Sequence, residues 1–474
     1  MDNSFSSVCH DLKNMKKNNS IVNKLLAGVF ALALLPIFAQ AKAPRKVLVV
    51  TATAGFPHSS VTTAEKVLKK LGEDSKAFTV VDVVRSGPRP GKADVAAWEA
   101  KMKSDLAEKM SPDALKKYDA IIFANTTGML PLPDKDAFIA WVKSGKGFIG
   151  MHSASDTFHD YPPYIEMLGG EFLTHGAQVK VHCLNQDPKH PATQHLGESW
   201  DVLDEIYQLK NFHRDQVHGL LTLDRHPNNL TPGDYPISWC KNFGKGKVFY
   251  TSLGHREDVW ENENYQKHIL GGIKWALGLE RGDGVPQSTA LKLSRVEIKE
   301  GFKPLFNGVD LTGWKSLDAN KLSWSAQNGM LVNNFPGIDL VGTEKFWNFT
   351  ARYEYMIPTN SNSGVYLRGR DEIQIYDDYA TGQALPGGNG SIYHIHPVDK
   401  FVTPLPGIWQ TVEVTMIGNR VSMTLNGVKV HDNVLVDRAT PSGLDENMNE
   451  PGPFLLQGTH GAVAFRNMRV KVLK

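Results

Sequence analysis

Apolar and polar positions follow two different rhythms along this chain, and the change falls near residue 280. Lys46–Thr53 is a continuous run rich in β-branched residues, the pattern of a strand buried on both faces. Val61–Leu71 then repeats its apolar positions at helical spacing, and Phe78–Val84 reads as a strand again. The alternation continues with strands at Ala120–Ala124, Gly147–Met151 and Lys247–Thr251 and helices at Lys135–Lys143 and Tyr265–Leu277. Such alternation predicts a parallel, doubly wound α/β sheet. From Leu305 the rhythm is that of short alternating strands: Phe349–Ile357, Trp409–Ile417, Arg420–Leu425 and Ala462–Leu473. Ile417-Gly418-Asn419-Arg420 and Leu425-Asn426-Gly427-Val428 are hairpin turns between them. This half is expected to be an all-β sandwich of about 180 residues. The chain is therefore multidomain: an α/β domain over 43–279, a linker over 280–294 rich in charge, Gly and Pro, and a β-sandwich over 295–474.

The first 41 residues belong to neither pattern. Lys13, Lys16, Lys17 and Lys24 precede the apolar run Leu25–Phe38 and then Ala39-Gln40-Ala41, the layout of a secretory signal peptide cleaved after Ala41. The run is short for a bilayer span and Pro36 interrupts it, so no stable membrane span is expected. The location implied is periplasmic or secreted. Lys and Arg total 52 against 50 Asp and Glu, and they are scattered, which argues against a nucleic-acid partner. Cys183 and Cys240 remain after cleavage; two buried thiols are expected, with pairing the alternative.

Ligands of open α/β sheets bind outside the carboxyl ends of the strands. Those ends carry His58, His152, Asp156 and His255, a set that core packing does not explain and that forms a candidate site. His175 and the acidic pair Asp204 and Glu205 are further candidates for it. Imidazoles with a carboxylate are also metal-ligand chemistry, although no HExxH-like spacing is present and no metal can be named.

In the β half, Ser361–Asp378 reads as two strands joined by a tight turn at Gly369–Asp371. Alternation puts Tyr366 and Arg368 on one face, with Glu372, Gln374 and Tyr376 facing the same way after the turn. Val365, Leu367, Ile373 and Ile375 make the apolar face. Tyr, Arg, Glu and Gln side by side suit a concave polyol-binding surface.

From Lys46 to Leu279 the chain resembles the trehalose-utilisation (ThuA-like) family, which has the class I glutamine amidotransferase fold. The resemblance rests on Gly147–Asp156, His190-Pro191-Ala192-Thr193, Pro236–Cys240 and Val248–His255. His152-Ser153 stands where an amidotransferase has its nucleophilic Cys, so glutamine hydrolysis by a thiolate is not expected. The β half resembles the 3-keto-disaccharide hydrolase domain, a concanavalin-like jelly roll. Its carriers are Phe306–Trp314, Asn362–Gly369, Glu372–Asp377, Leu425-Asn426-Gly427 and Pro453–Gly461. That resemblance implies 3-keto-glucoside 1,2-lyase and 3-keto-2-hydroxy-glucal hydratase chemistry.

A ketone at C3 acidifies the C2 hydrogen, so the C1 substituent can leave by β-elimination. Such a site needs a base near C2, a positive group near the enolate and an acid for the leaving oxygen. Arg368 is the expected charge, Glu372 and Asp377 are candidate bases or metal ligands, and His460 is a candidate acid. Tyr366, Gln374, Tyr393 and Gln457 are expected to bind the sugar, with Tyr366 and Tyr393 also able to serve as acids; His394 and His396 are weaker candidates. A divalent metal ion would suit the ketone. No G-x-G-x-x-G follows a strand, so no NAD is expected and a separate dehydrogenase must make the 3-keto group. A carbohydrate-binding jelly roll beside a sugar-modifying ThuA-like domain, or a conventional glycosidase using Glu372 with Asp377, are the alternatives.

Overall fold

The central sheet of the first half has nine strands, in the order Phe78–Val84, Arg45–Val50, Ala120–Ala124, Gly147–Met151, Gly246–Thr251, Pro232–Phe243, His218–Arg225, Val179–Asn185, Ser199–Asp204. These come from a computed structural model that describes residues 43–87 and 89–474; the signal-peptide reading lies outside the described residues. The first five strands pair in parallel, as expected of βαβ units. The other four, which the alternation of strand and helix did not mark, pair antiparallel, so the five expected strands form the parallel part of a mixed sheet. The physical reason is local: Pro232–Phe243 contains Pro232, Gly233 and Pro236, residues that normally break a strand pattern. They are tolerated here because the register shifts beside them, so the missing donors fall at irregularities of the ladder.

Helices cover the parallel part. Lys135–Lys143 starts where the Asp134 carboxylate accepts from Ala137 N, and Glu263–Ala276 starts where the Asn262 side chain accepts from Asn264 N and Tyr265 N. Glu263–Ala276 packs Ile269 and Ile273 into the core with Ile149 and Phe249 from the strands below. Cys183 and Cys240 are both buried and unpaired.

The second half forms two antiparallel sheets. One has eight strands, with Val463–Val472 and Phe349–Met356 at its centre, and the other runs Trp314–Ser316, Leu340–Gly342, Leu455–Leu456, Asn362–Leu367, Asp371–Tyr376. Val365, Ile373 and Ile375 of the smaller sheet meet Tyr353, Val414 and Phe465 of the larger in one core. The opposite face of the smaller sheet carries Tyr366, Glu372 and Gln374, yet these are also buried, because the loops around 385–396 and 436–446 fold over it. Pro44–Lys474 forms one compact unit. Its two halves are tied by Trp409 Nε1 donating to Asp224 (2.7 Å) and by Gln327 Oε1 accepting from Asp234 N (3.1 Å).

Candidate active site

The hairpin Asn362–Leu367/Asp371–Tyr376 sets Tyr366 directly opposite Glu372. Tyr366 donates its hydroxyl to Glu372 Oε2 at 2.9 Å, and Gln457 Nε2 lies 3.3 Å from both Glu372 Oε1 and the Tyr366 oxygen. Gln457 comes from the neighbouring strand end, and its own Oε1 is buried with no partner. Burial raises the Glu372 carboxyl to about 7; the Tyr366 hydrogen bond lowers it and the nearby Asp339 carboxylate adds to the rise. Burial and the adjacent carboxylate push the Tyr366 phenol far above its ordinary value, so it remains a proton donor. A carboxyl poised near neutrality beside a fixed donor is what acid–base chemistry requires.

Gly364 makes room for this carboxyl. A Cβ at that position would lie 2.2 Å from Glu372 Oε1. The backbone of Glu372 in turn holds the surrounding loops: Thr440 Oγ1 accepts from Glu372 N (2.9 Å) and Tyr393 N donates to Glu372 O (3.0 Å). Tyr393 and Thr440 line a cavity of about 570 Å³, together with His394, Arg438, Asp445 and Glu446. Tyr366 also donates to Pro441 O (3.2 Å), another lining residue. Arg438 is exposed, and its guanidinium bonds to the Asp437 carboxylate and the His394 carbonyl. It is the arginine lining this cavity, and nothing in the sequence pattern of its loop marked it.

Arg368 goes elsewhere. The strand ends at Leu367, and Arg368 sits in the turn with φ of 53°, so alternation no longer governs its direction. It is buried, bonded to Asp371 (3.5 Å) and Asn419 (2.9 Å), with its guanidinium 4.5 Å from the centre of the Trp347 ring. Asp371 precedes Glu372 on the strand and therefore faces the other way. Asp377 also departs from the group, its carboxylate accepting from Asn360 N at 2.7 Å. His460 is exposed and pairs with Thr459, three residues beyond Gln457. Gln374 shares the Glu372 face and reaches Gly387 O. His396 contacts His431, not the carboxyl.

A second cluster lies at the strand ends of the first half. His152 follows the strand Gly147–Met151 with φ of 49°, a left-handed conformation at a sharp strand–helix turn. It brings His152 Nε2 to 3.1 Å from His58 Nε2, 3.3 Å from His255 Nδ1 and 2.9 Å from the Tyr207 hydroxyl. Burial drives His152 well below the ordinary imidazole range and lowers His58 to about 4, with His255 adding to the second effect. Glu205 hydrogen-bonds His255 and raises it. Glu205 thus joins the set, whereas Asp156 does not: it pairs with His159, which also bonds Glu171. Asp204, raised to about 6 by burial, instead caps Gly254 N. Among the described residues, His58, His152, Glu205 and His255 form the one group able to converge on a metal ion. Tyr207 carried no signal in the sequence.

Two family models match the chain in succession: Trehalose utilisation (ThuA) over residues 46–276, and the 3-keto-alpha-glucoside-1,2-lyase-like domain over 301–471. The chain joins a ThuA-like region to a 3-keto-disaccharide hydrolase-like domain. Both matches point toward carbohydrate chemistry. No curated protein matches it. Solved structures similar to it include a candidate glycosyl hydrolase from Parabacteroides distasonis ATCC 8503, at 24% identity over 41% of this chain and 94% of that one, with a TM-score of 0.33. ThuA-like proteins from Bacteroides uniformis ATCC 8492 (22% identity, 50% and 93% covered, TM-score 0.38) and Parabacteroides merdae ATCC 43184 (19%, 52% and 93%, 0.40) are also similar. No described helix is long and apolar enough to cross a membrane.

Proposed function

We propose that the 3-keto-disaccharide hydrolase-like domain cleaves 3-keto-glycosides by β-elimination, hydrates the unsaturated product, or does both. The observation that carries this reading is Glu372, raised to about 7 and held between Tyr366 and Gln457, with the Tyr366 hydroxyl also 3.2 Å from the carbonyl of Pro441 in the wall of the 570 Å³ cavity. In the elimination, Glu372 takes the C2 proton while the electron pair moves onto the C3 oxygen. The enolate then collapses, the C1–O bond breaks, and a C1–C2 double bond forms as the leaving oxygen gains a proton. Tyr366 is the donor already aimed at Glu372, and Tyr393 is the second phenol at the cavity wall. Arg438 takes the role expected of Arg368, since a positive group near the enolate must face the cavity. Hydration returns a proton to C2 and places hydroxide from water at C1.

The ketone must be made by a separate dehydrogenase, and the substrate is a 3-keto-sugar or oligosaccharide. Export rests on Leu25–Ala41; N-terminal sequencing of protein from the native envelope should begin at or near Lys42, and an uncleaved cytosolic chain would refute it. The deciding experiment compares a 3-keto-glycoside with the same glycoside bearing a C3 hydroxyl. Release of aglycone only from the ketone is expected. Equal cleavage of both would indicate a glycosidase, and binding of both without cleavage a lectin-like module.

A further inference from the structure

The cluster in the ThuA-like region has no part in that reaction, and its geometry is that of ligands around a small ion. A tetrahedral centre with bonds of about 2.0–2.1 Å spaces its ligand atoms about 3.3–3.4 Å apart. His58 Nε2 and His152 Nε2 are 3.1 Å apart, His152 Nε2 and His255 Nδ1 3.3 Å, and His255 Nδ1 and Glu205 Oε1 3.4 Å. His152 Nε2 to Glu205 Oε1 is wider, at 3.9 Å. One ligand atom from each of the four residues lies within 4.8 Å of all the others.

Hydrogen bonding among these groups does not account for the convergence. His152 faces the Ser252 carbonyl with Nδ1 at 2.8 Å, so that nitrogen carries the proton and Nε2 presents a bare lone pair. Three neighbours, His58, His255 and Tyr207, crowd this one lone pair, which can align with a single donor. A cation shared by the imidazoles removes the conflict. The Nδ1–H to carbonyl bond is also the support that fixes a metal-ligating imidazole in its correct tautomer. Glu205 is steadied in the same manner, its second oxygen lying 3.3 Å from His175 Nδ1.

We propose that His58, His152 and His255 through nitrogen, and Glu205 through oxygen, bind one divalent transition-metal ion of the zinc class. Three imidazoles select against magnesium and calcium, which take oxygen ligands. Tyr207 stands beside the ion to hydrogen-bond a water or a sugar oxygen bound there. An ion so placed polarises a carbonyl or hydroxyl oxygen, which gives the ThuA-like region a chemistry of its own.

The test uses full-length protein stripped with chelator, then titrated with zinc by calorimetry and with cobalt by visible absorption. One equivalent of each is expected, with a tetrahedral cobalt spectrum and a rise in melting temperature on loading. His255→Ala and Glu205→Gln should weaken zinc binding on the order of a hundredfold or more, whereas His182→Ala, an exposed histidine paired with Asp201, should not. His255 is half-buried at the rim, so its loss is the variant least disruptive to folding; circular dichroism verifies that each variant folds. Folded wild-type protein that fails to take up a stoichiometric ion overturns the proposal, as does full retention of the ion by both ligand variants.

Discussion

Tyr366 and Glu372 are cross-strand partners, and the 2.9 Å bond between phenol and carboxyl spans the two arms of one hairpin. The pair is therefore held by the strand register itself and not by a loop. Removing the carboxyl's proton chemistry while keeping its shape is the direct test. Glu372→Gln should lower aglycone release from a 3-keto-glycoside by about a hundred- to ten-thousand-fold, with substrate affinity largely retained. A parallel loss of affinity and rate would mean that Glu372 only binds.

The pH dependence has a definite sign. Burial raises Glu372 from 4.5 to about 7, so between these values the folded state holds the proton more tightly than the unfolded chain. Stability from this group is complete below about 4.5 and falls as pH rises to about 7, by at most about 3 kcal/mol. Glu372→Gln lacks this loss. Its melting temperature relative to wild type should climb across that window and level off above it, as calorimetry at several pH values would show.

Gly364→Ala reports on the space reserved for the carboxyl. The added Cβ would sit 2.2 Å from Glu372 Oε1, so the carboxyl must move aside. Turnover should fall by about a hundredfold from misplacement, at a stability cost of no more than about 1–3 kcal/mol. Unchanged turnover would place the reacting carboxyl elsewhere.

Arg368 and Arg438 should behave in opposite ways. Arg368→Met strands Asp371, itself raised to about 6 by burial, and breaking a buried ion pair costs about 3–5 kcal/mol. The expected readout is a lower melting temperature. Arg438→Met leaves an exposed site, so the melting temperature should hold while the rate of elimination drops on the order of a hundredfold. The reverse outcome would restore Arg368 as the enolate charge.

Local pattern alone placed much of the framework. Phe78–Val84, Ala120–Ala124, Gly147–Met151, Lys135–Lys143 and Arg420–Leu425 have the bounds that their periodicity predicts. In the two inner strands, Ala120–Ala124 and Gly147–Met151, burial follows the whole run, whereas in Phe78–Val84, at the sheet edge, Val81 and Val83 are exposed although the bounds hold. The Tyr366–Glu372–Gln374 face was legible for the same reason, because two strands of known direction fix which side chains share a side. Arg368 lay beyond that rule: one positive φ at the turn redirects a side chain, and sequence alternation has no means of registering it. The antiparallel half of the nine-stranded sheet was hidden by Pro232 and Pro236, whose places in the sheet depend on bulges in pairing with a distant strand. Glu205 and Tyr207 meet His152 across more than fifty residues of chain, and Arg438 reaches the cavity wall from a loop without periodicity. Sequence determined which faces are polar and which strands carry them; only packing between remote segments decided which polar groups meet, because that distance is set by tertiary contacts and not by spacing along the chain.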